Sequence, residues 1–199
     1  MEDVTTKNEF EACVIAYDLP SENRIVIRDK QVYNKIRTTR ILSTYKLHSL
    51  GILTTESVIL VPKSKLNEVQ NAIDTVYKLY NDLNIELEKK YNLSVGEPLI
   101  KVIPITRKQH EDFKALAQRK IKERLDKLIN KLTELLNEID EIIESEKIRR
   151  IKNNIRKQKR EIQRIEQYCK ELGIDTNHKF ELISELFQEV FNTLEGESL

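Results

Sequence analysis

The sequence predicts an α+β chain. Residues 1–106 form a small sheet with helices packed on it, and residues 107–199 form a long coiled-coil-like helical hairpin followed by a C-terminal amphipathic helix. Three observations predict this. Short β-branched runs alternate with helical patterns as far as Thr106, strand signals stop beyond Arg107, and isoleucine and leucine then recur at spacings of three and four. With 39% of its 199 residues hydrophobic and 34% charged, the chain has the balance of long helices with wet outer faces.

Glu9–Asp18 is an apolar run stopped by Leu19-Pro20-Ser21, which suits a strand buried on both faces. Arg24–Arg28 reads either as a short edge strand or as the lead into a helix. From Gln31 to Leu50, Val32, Ile36, Ile41, Leu42, Tyr45 and Leu50 follow helical spacing, and Gly51 is placed for a left-handed C-cap. Ile52–Pro62 is rich in β-branched residues and ends at a proline, so it reads as one strand. Ser64 is placed to cap the next helix, whose stripe is Leu66, Val69, Ile73, Val76, Tyr80, Leu83 and Leu87. Asn92–Glu97 is a loop and Pro98–Thr106 a further strand. The order β-α-β-α-β implies a sheet with helices on one face.

In the second half, Ile121, Leu125, Leu128, Leu132, Leu135, Ile139 and Ile142 form one heptad series, and Ile148, Ile151, Ile155, Ile162, Ile165, Cys169 and Leu172 form another. The step of six from Ile142 to Ile148 puts the two out of phase. Either the chain turns back near Glu144–Lys147 or one long helix changes its buried face there. The hairpin is the preferred expectation, because antiparallel arms set an acidic segment beside a basic one. Gly173 closes the second arm, and Asp175 or Thr176 is placed to cap a last helix. Its face of Phe180, Ile183, Phe187, Val190 and Leu194, with Phe191 beside it, packs in a core or against a partner.

The formal net charge of +1 conceals a strong asymmetry. Glu134–Glu146 holds six carboxylates and no Lys or Arg, whereas Lys147–Arg164 holds nine cations and Glu161 alone. The sets Arg149/Arg156, Arg150/Lys157/Arg164 and Lys152/Lys159 repeat at seven, leaving the isoleucine seam free to pack. Such a helix can follow a phosphate backbone, bound electrostatically and almost blind to sequence. The alternative is that its cations are matched by the acidic arm or solvated.

Signals of catalysis are few. No phosphate-loop, dinucleotide, nucleophile-elbow or zincin motif occurs, and the 4 glycines are too dispersed to build a phosphate cradle. His48, His110 and His178 stand apart as surface or helix-face residues, and Cys13 and Cys169 read as buried thiols. No apolar run could span a bilayer, and MEDVTTKNEFE lacks the basic and apolar regions of a signal peptide, so a cytoplasmic protein is expected. Abundant Lys, Glu and Ile with 2 Cys and 1 Met resembles heat-adapted composition.

Asp18 ends the first strand, where open sheets commonly face ligands. It reads as a turn residue before Leu19-Pro20, or as a ligand for a divalent ion shared with a second Asp18 across a two-fold axis. An apolar strand ending in Tyr17-Asp18, a basic helix with Lys35, Arg37, Arg40 and Lys46, then Gly51 and a strand containing Ser57-Val58 resembles the small CRISPR-associated adaptation subunit, the integrase's partner in spacer acquisition. The resemblance covers about residues 9–105. It implies a ferredoxin-like dimer that binds duplex nucleic acid, with some members acting as metal-dependent nucleases through the aspartate that Asp18 matches. The chain departs from that family in showing one strand at Ile52–Pro62 where the family has two, and in its helical tail after Arg107.

The functional expectation is a non-enzymatic, self-associating nucleic-acid-binding protein, most simply a homodimer. Arg149, Arg150, Lys152, Arg156, Lys157, Lys159, Arg160 and Arg164 would contact phosphates, with Arg37 and Arg40 as a secondary patch. An oligomeric scaffold with charge-paired helical arms is the alternative. A nuclease with Asp18 as metal ligand is the third reading, and only that one calls for a cofactor, Mg²⁺ or Mn²⁺.

Overall fold

The computed structural model describes residues 12–22, 29–138, 145–176 and 178–196. The chain divides into two compact units, Met1–Phe113 and Lys114–Leu199, so the division falls inside a helix rather than at its start. Glu9–Glu11, Arg24–Arg28 and, of the turn expected near Glu144–Lys147, Glu144 lie outside the described residues, while Ser145–Lys147 already belong to a helix rather than a turn.

In the first unit the order is β1 (Ala12–Asp18), α1 (Lys30–His48), β2 (Ile52–Thr55), β3 (Val58–Pro62), α2 (Leu66–Tyr91) and β4 (Leu99–Ile105). The strands form a four-stranded sheet in the order β2-β3-β1-β4, with every neighbouring pair antiparallel. This is the split βαβ arrangement of ferredoxin-like domains. Ile52–Pro62 is therefore two strands, not one. The polar tetrad Thr54-Thr55-Glu56-Ser57 interrupts the apolar run, Glu56-Ser57 makes a two-residue turn, and the ladder shifts register between Leu53 and Thr55. The first of the two departures from the adaptation-subunit pattern is thus removed.

Cys13 and Ile15 of β1 and Ile59 and Val61 of β3 point to the same side of the sheet. They form one core with Val32, Ile36 and Leu47 of α1 and Val69, Ile73, Val76, Tyr80, Leu83 and Leu87 of α2. The α2 stripe is the one its spacing predicts. Helix α1 differs: Ile41, Leu42 and Tyr45 are exposed, and Ser43 takes the buried position between Ile36 and Leu47. At 100° per residue, positions 32, 36, 43 and 47 share one side and 41 and 45 fall opposite.

Asp29 caps α1, accepting from the amides of Gln31 at 2.7 Å and Val32 at 3.4 Å. Gly51 is not its left-handed cap, since Ser49 closes the helix in right-handed conformation. Glycine is required at 51 because a Cβ would lie 2.1 Å from the Leu60 carbonyl oxygen. Helix α2 follows a 3-10 turn, Lys63–Lys65, and its N-cap position, Lys65, makes no side-chain cap bond, in place of the expected Ser64 cap. Asn92 ends α2 at φ 52, donating to the Glu88 carbonyl.

Helix α3 (Arg107–Glu138) opens on a reciprocal cap. The Gln109 side chain accepts from the Thr106 amide at 3.0 Å, and the Thr106 hydroxyl accepts from the Gln109 amide at 3.4 Å. In the second unit α3 runs antiparallel to α4 (Ser145–Leu172): Arg124 pairs with Glu161 at 2.6 Å, and Leu132 and Leu135 share a groove with Ile151 and Ile155. The arms form a hairpin. Gly173, at φ 62, terminates α4, and the Ile174 amide donates back to the Cys169 carbonyl at 2.8 Å.

Helix α5 (Lys179–Gly196) packs against α4. It starts later than an Asp175 or Thr176 side-chain cap would place it. His178, at φ 57, leads in, and the Thr176 carbonyl accepts from the Lys179 amide. Phe180, Ile183, Phe187, Val190 and Leu194 are buried with Ile121, Leu125 and Leu132 of α3 and Ile155, Ile162, Ile165, Cys169 and Leu172 of α4 among the core residues of this unit. The terminal aromatics therefore serve this chain's own core.

Candidate nucleic-acid interface

The apolar positions of α4 fall on one side, and most of its cations fall on the other. Ile155, Ile162, Ile165, Tyr168, Cys169 and Leu172 are buried, while Arg149, Arg156, Lys157 and Arg160 are exposed and Lys152 and Lys159 half-buried. Steps of three, four and four link Arg149, Lys152, Arg156 and Arg160, which keeps them on one outward face. From Arg149 to Arg160 that face is about 16 Å long.

What each cation already touches decides its availability. Arg150 pairs with Glu146 one turn away at 2.6 Å, and Arg164 lies 3.8 Å from Glu161, the Arg164 Nε being buried and without a hydrogen-bond partner among the described residues. Arg156 sits over the Phe191 ring, 5.9 Å from its centroid. That contact orients the guanidinium without cancelling its charge. Arg149, Lys152, Arg156, Lys157, Lys159 and Arg160 have no carboxylate within ion-pair distance among the described residues.

The expected pairing of an acidic first arm with a basic second arm is not what the described residues show. The observed link between α3 and α4 has the opposite sense, with Arg124 on the first arm and Glu161 on the second. Asp126 of α3 pairs with Lys179 of α5. Of the acidic segment, Glu134 is exposed, Glu146 serves its own helix, and positions 139–144 lie outside the described residues.

The secondary patch on α1 separates into two unlike residues. Arg37 is exposed, whereas Arg40 donates from Nη2 to Oε1 of Glu22 at 2.9 Å. Glu22 is buried, and among the described residues its Oε2 and the Nε of Arg40 have no hydrogen-bond partner. Arg40 is committed to that carboxylate. Lys35 is likewise held by Glu86, which also accepts from Lys90 at 2.8 Å. These two ammonium groups hold the Glu86 carboxyl down at about 2.

Asp18 is exposed at the end of β1, opposite Leu99 of β4. Among the described residues no group of three or more His, Cys, Asp or Glu side chains is gathered to hold a metal ion. Beside Asp18 is a contact that spacing gave no hint of: the Tyr17 hydroxyl lies 2.6 Å from His48 Nε2 and 3.1 Å from the Glu56 carbonyl. Burial pushes the Tyr17 phenol up to about 12. The thiols are similarly quieted, Cys13 to about 11 by burial and Cys169 to about 12 by burial and the nearby Glu166. Also unanticipated is an acidic outer face on α5, where Glu181, Glu185 and Glu189 are exposed at intervals of four.

Among the described residues no helix is long and apolar enough to cross a membrane. The sequence matches no family model, and neither a curated protein nor a solved structure matches it.

Proposed function

We propose that the protein is a non-enzymatic nucleic-acid-binding protein that self-associates and grips phosphates through the outer face of α4. The observation that carries this reading is that six cations on one helix, Arg149, Lys152, Arg156, Lys157, Lys159 and Arg160, are left without carboxylate partners among the described residues. A chain of net charge +1 has carboxylates enough to neutralise them elsewhere. Their segregation creates a local field that a polyanion can use.

Arg150 and Arg164 contribute less, since each already faces a glutamate. Arg37 offers a separate contact point in the first unit. The ferredoxin-like topology is the one the adaptation-subunit resemblance implied, and because one fold hosts many functions the reading rests on the face of α4 and not on the fold.

Binding of this kind is driven by counterion release. With about five phosphates contacted, the slope of log K against log salt is about −4.5, and affinity falls about 500-fold between 50 and 200 mM salt. Fluorescence anisotropy with labelled duplex and single-stranded oligonucleotides at four salt concentrations tests it. No affinity at 50 mM, or an affinity indifferent to salt, overturns the proposal and leaves the assembly reading in its place.

A further inference from the structure

The two edges of the sheet are built differently. At one edge β2 is four residues long, its ladder is interrupted between Leu53 and Thr55, and the Thr54 hydroxyl donates to the Val58 carbonyl. Short, irregular edges of this kind resist pairing with other strands. At the other edge β4 is seven residues long and in unbroken register with β1 from Ile105↔Ala12 to Leu99↔Asp18. Among the described residues it pairs with β1 alone.

This longer, regular edge is also largely apolar. Leu99 is 67% exposed, Val102 43% and Ile103 45%. Val102 lies on the helix-covered side of the sheet, opposite Ile15, and Leu99 and Ile103 lie on the other side, so both sides of the edge present hydrocarbon. Pro104 adds a directional detail. It has no N–H, so the continuous β1 ladder requires its nitrogen to face outward. By alternation, the N–H and C=O groups of Ile100 and Val102 face outward as well.

We infer that β4 is the self-association surface: the β4 strands of two copies pair antiparallel across a two-fold axis, joining two four-stranded sheets into one of eight. A row of outward donors and acceptors at strand spacing is satisfied by another strand, and an identical strand makes the contact closed and self-complementary. The register is constrained by Lys101. An axis through Lys101 sets two ammonium groups face to face, which is unfavourable. An axis through Val102 pairs the two valines and places Lys101 opposite Ile103 of the second copy. The exposed stripe Ile41, Leu42 and Tyr45 of α1 is also apolar, but it offers only helix side chains and no such instruction about what covers it.

The inference specifies the partner in the self-association part of the proposed function and is independent of nucleic-acid binding. Its test therefore uses the full chain without nucleic acid. Sedimentation equilibrium of the wild-type chain between 1 and 100 µM is expected to approach twice the 23.5 kDa chain mass, and Val102→Lys, which sets like charges at the axis, is expected to remain at the single-chain mass. Val102→Pro removes an outward donor while leaving the β1 ladder intact and is expected to do the same. Circular dichroism confirms that each variant is folded, and Leu99→Lys with Ile103→Lys replaces either one that is not. A wild-type chain that stays monomeric at 100 µM overturns the inference, as do folded variants that associate as the wild type does.

Discussion

Gly51 shows how a single residue type can be demanded by its neighbour rather than by its own torsions. The Leu60 carbonyl oxygen occupies the place where a Cβ would sit, 2.1 Å away, and the next atoms met are also backbone. No rotamer change can relieve such a clash. Gly51→Ala is expected to cost about 3 kcal/mol by displacing the middle of β3, measured as a lowered urea midpoint with unchanged slope. Glu86 supplies a pH signature at the same scale. Its folded carboxyl, held by Lys35 and Lys90, titrates at about 2 instead of 4.5. A depressed carboxyl stabilises the fold above its unfolded value and loses that contribution as pH falls from 4.5 toward 2. The stability difference between wild type and Glu86→Gln, read from urea melts, is expected to be present at pH 6 and gone by pH 2. Because the carboxylate is solvent-exposed, the difference is expected to shrink in high salt.

At the scale of elements, legibility tracked how strongly period and punctuation agreed. The α2 stripe was readable because seven apolar residues from Leu66 to Leu87 hold one side of a 26-residue helix. Gly173 was readable because an isolated glycine ended a heptad series. The β2–β3 hairpin was hidden by β-branching on both sides of Glu56-Ser57, which made two strands look like one. In α1 the buried Ser43 and the exposed Ile41, Leu42 and Tyr45 invert the usual correlation of polarity with burial, and spacing alone could not show it. Loop anchoring was illegible for a different reason, since it depends on a long-range side chain. Asn84 of α2 donates from Nδ2 to the Gly96 carbonyl at 3.0 Å and accepts at Oδ1 from the Val95 amide at 2.9 Å. Asn84→Ala is expected to cost about 1–2 kcal/mol and, in hydrogen exchange, to deprotect the Val95 amide while the amides of α2 keep their protection. Equal protection at Val95 in the variant would show that Asn84 does not anchor the loop.

For the whole molecule, charge is informative by position and not by sum. The sequence located the basic helix but not which cations it spends within the chain, because ion pairing depends on where Glu146 and Glu161 come to lie in three dimensions. A net charge of +1 predicts little attraction to either type of ion exchanger. The fold instead gives α4 an outer face with Arg149, Lys152, Arg156, Lys157 and Arg160, and α5 an outer face with Glu181, Glu185 and Glu189. A surface divided in this way adsorbs through whichever face meets the opposite charge, so the near-neutral protein is expected to be retained at low salt on a sulfonate resin. Replacing Arg149, Lys152, Arg156, Lys157 and Arg160 by glutamine removes five charges and takes the formal total from +1 to −4. Neutralising the five solvent-facing residues Lys30, Lys63, Lys78, Lys89 and Lys108, which lie outside α4, gives the same total. If position governs, the α4 variant flows through the sulfonate resin and loses its oligonucleotide affinity, while the scattered variant keeps most of both. Equal losses in the two variants would mean that net charge alone sets the interaction and that α4 has no special part in it.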